Sequence, residues 1–267
     1  MIELRGVTKA FGSKKAVDGL DLEVRSGELF GFLGPNGAGK TTTMKMVCGL
    51  LAPTSGTVKV GGFNAGSPEA RQLIAYVPDQ PFLYEKLTGR EFLRFVVEMY
   101  GLDPARSTRK IDELVETFEM EGFVDDLCES YSHGMKQRVV FASALVHDPK
   151  VLIIDEPLVG LDPRSGRIVK DLFIAQARSG VAVLMSTHLL SIAEELADTI
   201  GIVDKGKMLA VGTLDQLRER AEYQGPLENL FLKLTGGDRP LPGEASRIAR
   251  EQGLNGALEV SAEGVGG

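Results

Sequence analysis

From Ile2 to Leu33 apolar and polar positions alternate, in IELRGVTKAF, AVDGLDLEV and ELFGFLG. Period-two patterning of this kind predicts three strands, with turns at Gly12, Gly19 and Gly27. The pattern then changes: Met44, Val47, Cys48 and Leu51 recur at helical spacing, which predicts a helix over residues 40–51. GTVKVGG and LIAYVP read as two further strands. Residues 88–146 turn helical in three segments, the last following Ser132, and this predicts a helical insertion over about residues 86–146. From Lys150 four apolar runs, VLIID, VAVLMST, IGIVD and KMLAVG, alternate with amphipathic stretches. Continuous apolar strands interleaved with helices predict an α/β core around a mainly parallel sheet. Residues 213–235 suggest two short helices, and the Gly- and Pro-rich residues 236–267 a weakly ordered tail. One domain over residues 1–235 is the expected organisation.

The formal net charge of −7 argues against a nucleic-acid partner, which would require a basic stripe. Cys48 and Cys128 match no metal spacing and read as buried thiols of a reducing compartment. No basic stretch with an apolar core follows Met1, and no apolar run approaches the ~20 residues of a membrane span. Any membrane role is therefore expected to need a partner.

The chemistry begins at GPNGAGKT, which follows a strand and opens a helix. That context suits a phosphate-binding loop, in which backbone N–H groups converge on phosphates at a helix N-terminus. Gly34, Pro35, Asn36, Gly37, Ala38, Gly39 and Thr42 form its frame, Lys40 supplies positive charge, and Thr41 offers a hydroxyl to Mg²⁺. VLIIDE delivers Asp155 to a strand's carboxyl end, where a second Mg²⁺ ligand is expected, and places Glu156 to polarise water. LMSTH sets His188 just past another core strand, in position to reach a γ-phosphate. YSHGMKQR is a second helix start of the anion-binding kind, with Ser132 able to cap it.

With the phosphate loop, YSHGM, IIDEPLVGLDP and STH in this order, residues 1–215 resemble the nucleotide-binding subunit of ATP-binding cassette (ABC) transporters. The resemblance implies a P-loop NTPase core with an N-terminal antiparallel β subdomain and an inserted helical subdomain. It implies ATP and Mg²⁺ as ligands, and two cassettes paired head to tail, so that Ser132 and Gly134 would reach the partner's ATP. Here the family's usual Leu-Ser-Gly-Gly-Gln reads Tyr-Ser-His-Gly-Met. Phe11 matches the aromatic that stacks on adenine, an edge aromatic being the plainer reading. Asp162 matches a loop touching the opposite subunit and equally suits a helix cap before Pro163. Where the family usually has Gln after the strand ending Val77-Pro78, this chain has Asp79, an anionic oxygen ligand suited to Mg²⁺. YVPDQPFLYEKLTGREFL and LENLFLKLTG resemble the branch serving ABC-2-type exporters, which implies an integral membrane permease and a peripheral location on the cytoplasmic face. The alternatives are a soluble cassette ATPase of translation or DNA repair, and a non-hydrolysing nucleotide sensor.

Overall fold

The computed structural model describes residues 1–158, 161–223 and 225–235. The expected tail, residues 236–267, lies outside the described residues. The chain opens with a hairpin of β1 (Ile2–Phe11) and β2 (Lys14–Val24), followed by β3 (Leu29–Leu33) and α1 (Lys40–Val47). Next come β4 (Ser55–Val60), β5 (Phe63–Asn64), α2 (Pro68–Leu73) and β6 (Ile74–Val77). Between β6 and the next strand run α3 (Gly89–Met99), α4 (Pro104–Thr117) and α5 (His133–Leu145). The remainder alternates: β7 (Val151–Asp155), α6 (Pro163–Arg178), β8 (Ala182–Thr187), α7 (Leu190–Leu196), β9 (Thr199–Asp204) and β10 (Lys207–Gly212). Then follow α8 (Leu214–Arg220) and α9 (Leu227–Leu234).

These strands form two sheets. The smaller is antiparallel, in the order β2-β1-β4-β5, and the larger runs β10-β9-β3-β8-β7-β6. In the larger sheet β3, β6, β7, β8 and β9 are mutually parallel, and only β10 joins its edge antiparallel. Both faces of its central strands are covered, which explains why they lack polar alternation. In β7, Leu152 and Ile154 face the core under α3–α6, while Val151 and Ile153 face the core shared with α1 and the small sheet. Successive strand residues point to opposite faces, so one short strand anchors two cores. Parallel strands present their carboxyl ends together, and β3, β7 and β8 therefore deliver the phosphate loop, Asp155 and the His188 segment to one edge.

Three expectations on local structure are corrected. Gly19 is no turn; it lies within β2 at φ 65°, where the β1–β2 register shifts between Val7 and Lys9. Its N–H bonds to the Thr8 hydroxyl at 3.0 Å, so this left-handed position makes a bulge rather than a chain reversal. The first helix stops at Val47 instead of residue 51, with Cys48 as its cap. The strand expected from LIAYVP starts at Ile74, because Leu73 still ends α2. That short helix went unread, although Ser67 caps it by accepting from the Ala70 N–H, with Pro68 following.

Candidate active site

The loop between β3 and α1 ends at Gly39, which precedes the helix at φ 106° and gives it no side-chain cap. The first N–H groups of α1 are left for an anion to satisfy. Only glycine suits position 39 on two counts: the left-handed conformation, and a Cβ that would fall 2.5 Å from the Ala16 carbonyl oxygen.

Lys40 is 7 % exposed and folds back on the loop. Its Nζ donates to the carbonyls of Gly34 at 2.7 Å and Pro35 at 3.4 Å, and lies 3.8 Å from Glu156 Oε1. Burial lowers its pKa below the usual lysine value, against the opposing pull of Glu156 and Asp155. The loop thus holds a desolvated ammonium that a phosphate can engage more strongly than in bulk water.

Asp155 closes β7 almost fully buried, and its two carboxylate oxygens differ. Oδ1 accepts from the Ser186 hydroxyl, whereas Oδ2 is buried with no hydrogen-bond partner. A carboxylate oxygen in that state carries a desolvation penalty that a bound cation would remove.

Glu156 adopts φ 51°, a left-handed conformation unusual for a residue with a Cβ. Its N–H is held by the Ser186 carbonyl at 3.2 Å and hydroxyl at 3.3 Å. The turn aims its carboxylate at His188: Oε2 accepts from the His188 N–H at 3.2 Å and pairs with Nδ1 at 2.8 Å. A carboxylate oxygen only accepts, so Nδ1 donates in this contact and Nε2 is not engaged by Glu156. The left-handed backbone at Glu156 costs about 1 kcal/mol, and Glu119, Asp148, Lys205 and Glu222 share it.

Lys40, Asp155 and Glu156 face one cleft of about 350 Å³, lined also by Asn36, Gly37, Gly39, Thr41, Thr42 and Asp79, whereas His188 stands behind Glu156 and is not among the lining residues. Lys14 and Ala16 of β2 complete it. A larger cavity of about 570 Å³ under α4, lined by Arg106, Lys110 and His147, contains none of these residues.

A family profile described as "ABC transporter" matches residues 17–159, more than half of the chain. The chain belongs to the ABC transporter family. The cassette is 40 % identical over 249 residues to the daunorubicin/doxorubicin resistance ATP-binding protein DrrA of Streptomyces peucetius, covering 92 % of this chain and 74 % of that one. A solved ATP-binding subunit of an ABC transporter superposes with a TM-score of 0.83 at 34 % identity, covering 88 % of this chain and 99 % of the other. A second, the ATP-binding cassette MJ0796 in a dimeric post-hydrolysis state with ADP and Pi, gives 0.73 at 25 % identity, over 80 % and 99 %. As a family member the cassette binds ATP, is an ATP hydrolase, and is the ATP-driven subunit of a transporter. Among the described residues no helix is long and apolar enough to cross a membrane.

The remaining expected residues lie apart from the cleft. Ala38 is buried, and its carbonyl accepts from the Gly206 N–H at 3.0 Å. Phe11 sits exposed at the β1–β2 tip, with Lys9 over its ring at 5.3 Å. Ser132 caps α5 by accepting from the Met135 N–H at 3.3 Å. A Cβ at Gly134 would meet only Asp162 Oδ2, at 3.9 Å, so this chain's own packing leaves room at that position. Asp162 is a cap as well: it accepts from the Arg164 and Ser165 N–H groups at 3.0 Å and from the Ser165 hydroxyl. Two cleft residues went unread in the sequence, Lys14 and Ala16, as did Ser186 behind Asp155. Ser186 left a trace, as a polar Ser-Thr pair ending an otherwise apolar run before His188.

Proposed function

We propose that the cassette works as one half of a head-to-tail ATPase pair which drives a separate membrane permease of the exporter type. The observation that carries this reading is the separation of two anion-type helix starts. The first belongs to the cleft with Lys40, Asp155 and Glu156, while Ser132 and Gly134 lie outside that cleft, exposed or half-buried. A second such start set apart from this chain's own phosphate cleft suits a nucleotide held by another copy. The resistance function printed for DrrA supports export, and the dimeric form of MJ0796 supports pairing. Residues 1–235 would act as a single ATPase domain, with α3–α5 as its helical insertion.

The donor set fits Mg²⁺: the unpartnered Asp155 Oδ2, the Thr41 hydroxyl and Asp79 are all hard oxygen ligands. Bound there, the ion would neutralise phosphate charge and orient the β- and γ-phosphates. The chain's own groups do the rest. The loop N–H groups and Lys40 hold the phosphates, and Glu156 takes a proton from the attacking water. His188, whose Nδ1–H donates to Glu156, can donate to a γ-phosphate oxygen only when Nε2 carries a proton as well. The work is positioning and charge stabilisation.

Affinity capture of the tagged cassette from membranes tests the transport reading. A stoichiometric polytopic membrane protein is expected, and recovery with ribosomes or DNA instead would favour the soluble-factor alternative.

A further inference from the structure

Lys14 is the first residue of β2 and pairs directly with Phe11 across the hairpin. Directly opposed residues project from the same face of an antiparallel pair, and residues two apart along a strand share that face. Phe11, Lys14 and Ala16 therefore lie on one side of the hairpin, and Lys14 and Ala16 line the nucleotide cleft. Hydrogen bonds in series fix this strand against the phosphate loop. The Asp18 N–H donates to the Gly206 carbonyl at 2.8 Å, and the Gly206 N–H to the Ala38 carbonyl at 3.0 Å. Gly39 adds a close approach, since its missing Cβ leaves room for the Ala16 carbonyl.

The charges nearby divide unequally. Lys15 is bound to Asp18 at 2.7 Å, Lys207 stands 3.6 Å from the same carboxylate, and Lys40 faces Glu156. Among the described residues no ion pair engages Lys14. The cleft thus has one cation committed to its own loop and carboxylates, and a second at its mouth with nothing to neutralise it.

We propose that Lys14 is a nucleotide-binding residue, gripping the polyphosphate chain of a nucleoside di- or triphosphate from the hairpin side, opposite Lys40. The proposal rests on the cleft being the ATP site. Its ligand class is set by charge. An ammonium at the mouth gains from the α- and β-phosphates of ADP and ATP and gains little from adenosine, which brings no anion. Lysine is suited to this as a mobile point charge on a long stem.

Titration calorimetry of the full chain with ATP, ADP and adenosine tests it. Lys14→Gln is expected to weaken ADP and ATP by about tenfold, the weight of one charge-assisted contact, with adenosine affinity unchanged. Lys14→Arg is expected to restore binding, and Lys15→Gln to leave it at the wild-type value. Unchanged ADP affinity in Lys14→Gln overturns the proposal, as does an equal loss in Lys15→Gln, which would mean a general hairpin charge effect. Lys40→Ala separates the two readings. If it abolishes binding while Lys14→Gln does nothing, only the Lys14 role fails; if wild-type chain binds neither ATP nor ADP, both fail.

Discussion

Replacing Glu156 with Gln removes one proton acceptor and little else. The amide oxygen can still accept from the His188 N–H and Nδ1–H now bonded to Oε2, so the turn keeps its anchors. Asp155 retains the Ser186 hydroxyl and its unpartnered oxygen. What disappears is the anion 3.8 Å from Lys40 and the ability to draw a proton from water. General-base loss costs about 10²–10⁴ in rate, or about 3–5 kcal/mol of barrier. ATP affinity should hold or rise, because Lys40 keeps its charge with one competing carboxylate fewer. The variant is therefore expected to bind ATP, to turn over at a hundredth of the wild-type rate or less, and to accumulate as an ATP-bound pair. Phosphate release gives the rate, calorimetry the affinity, and light scattering the mass with and without Mg-ATP. Near-native turnover would remove Glu156 from the chemistry. ATP affinity lost in step with turnover would show that the carboxylate builds the site rather than operating it.

Three further outcomes are expected. Asp79→Ala should raise the Mg²⁺ concentration for half-maximal turnover while Gln80→Ala does not; the reverse result would put the metal-side ligand one residue later. Ser132→Arg should lower turnover far more than monomer affinity for ATP, and mixing it with a Lys40→Ala chain should recover part of the activity; equal losses of affinity and turnover would confine Ser132 to its own subunit. His147 stacks on Tyr100 at 4.0 Å and its Nε2 meets the Ile74 carbonyl at 3.2 Å, with its pKa held below the ordinary 6.5 chiefly by burial. Above pH 6.5 neither state is protonated and stability is full; as pH falls below 6.5 toward the folded pKa, the unfolded chain takes up the proton and stability drops. Denaturant midpoints of His147→Phe should fall less steeply over that range than those of the wild type, and parallel slopes would discount the burial.

Much of the nucleotide site could be read along the chain because each piece is local. A strand, a glycine loop and a helix start lie within one short segment, and Asp155 and Glu156 follow directly on a run of apolar residues. The same holds for the capping role of Ser132. What escaped is set by pairing between distant segments. Nothing local tells that Glu156 and His188 bond to each other, since that depends on β7 and β8 being neighbours in register, Asp155 beside Ser186. Lys14 went unread for the same reason: its place in the cleft follows from the Gly206 turn joining β2 to the phosphate loop. Gly19 misled because a left-handed glycine serves a bulge as readily as a turn.

The guanidinium of Arg138 gives the molecule a mechanical property. From α5 it donates to the Phe118 and Glu119 carbonyls at the end of α4, at 3.4 and 3.2 Å. Its other arm donates to Ser165 Oγ at 3.1 Å, and that hydroxyl is bonded to Asp162 at the start of α6. Arg164 closes the ring by reaching back to Glu119 at 2.7 Å. A planar fork fixed at both ends resists sliding and twisting alike. The helix headed by Ser132 is therefore tied to the first turn of α6, and a displacement of one pulls on the other through Arg138, which acts as the strut between them.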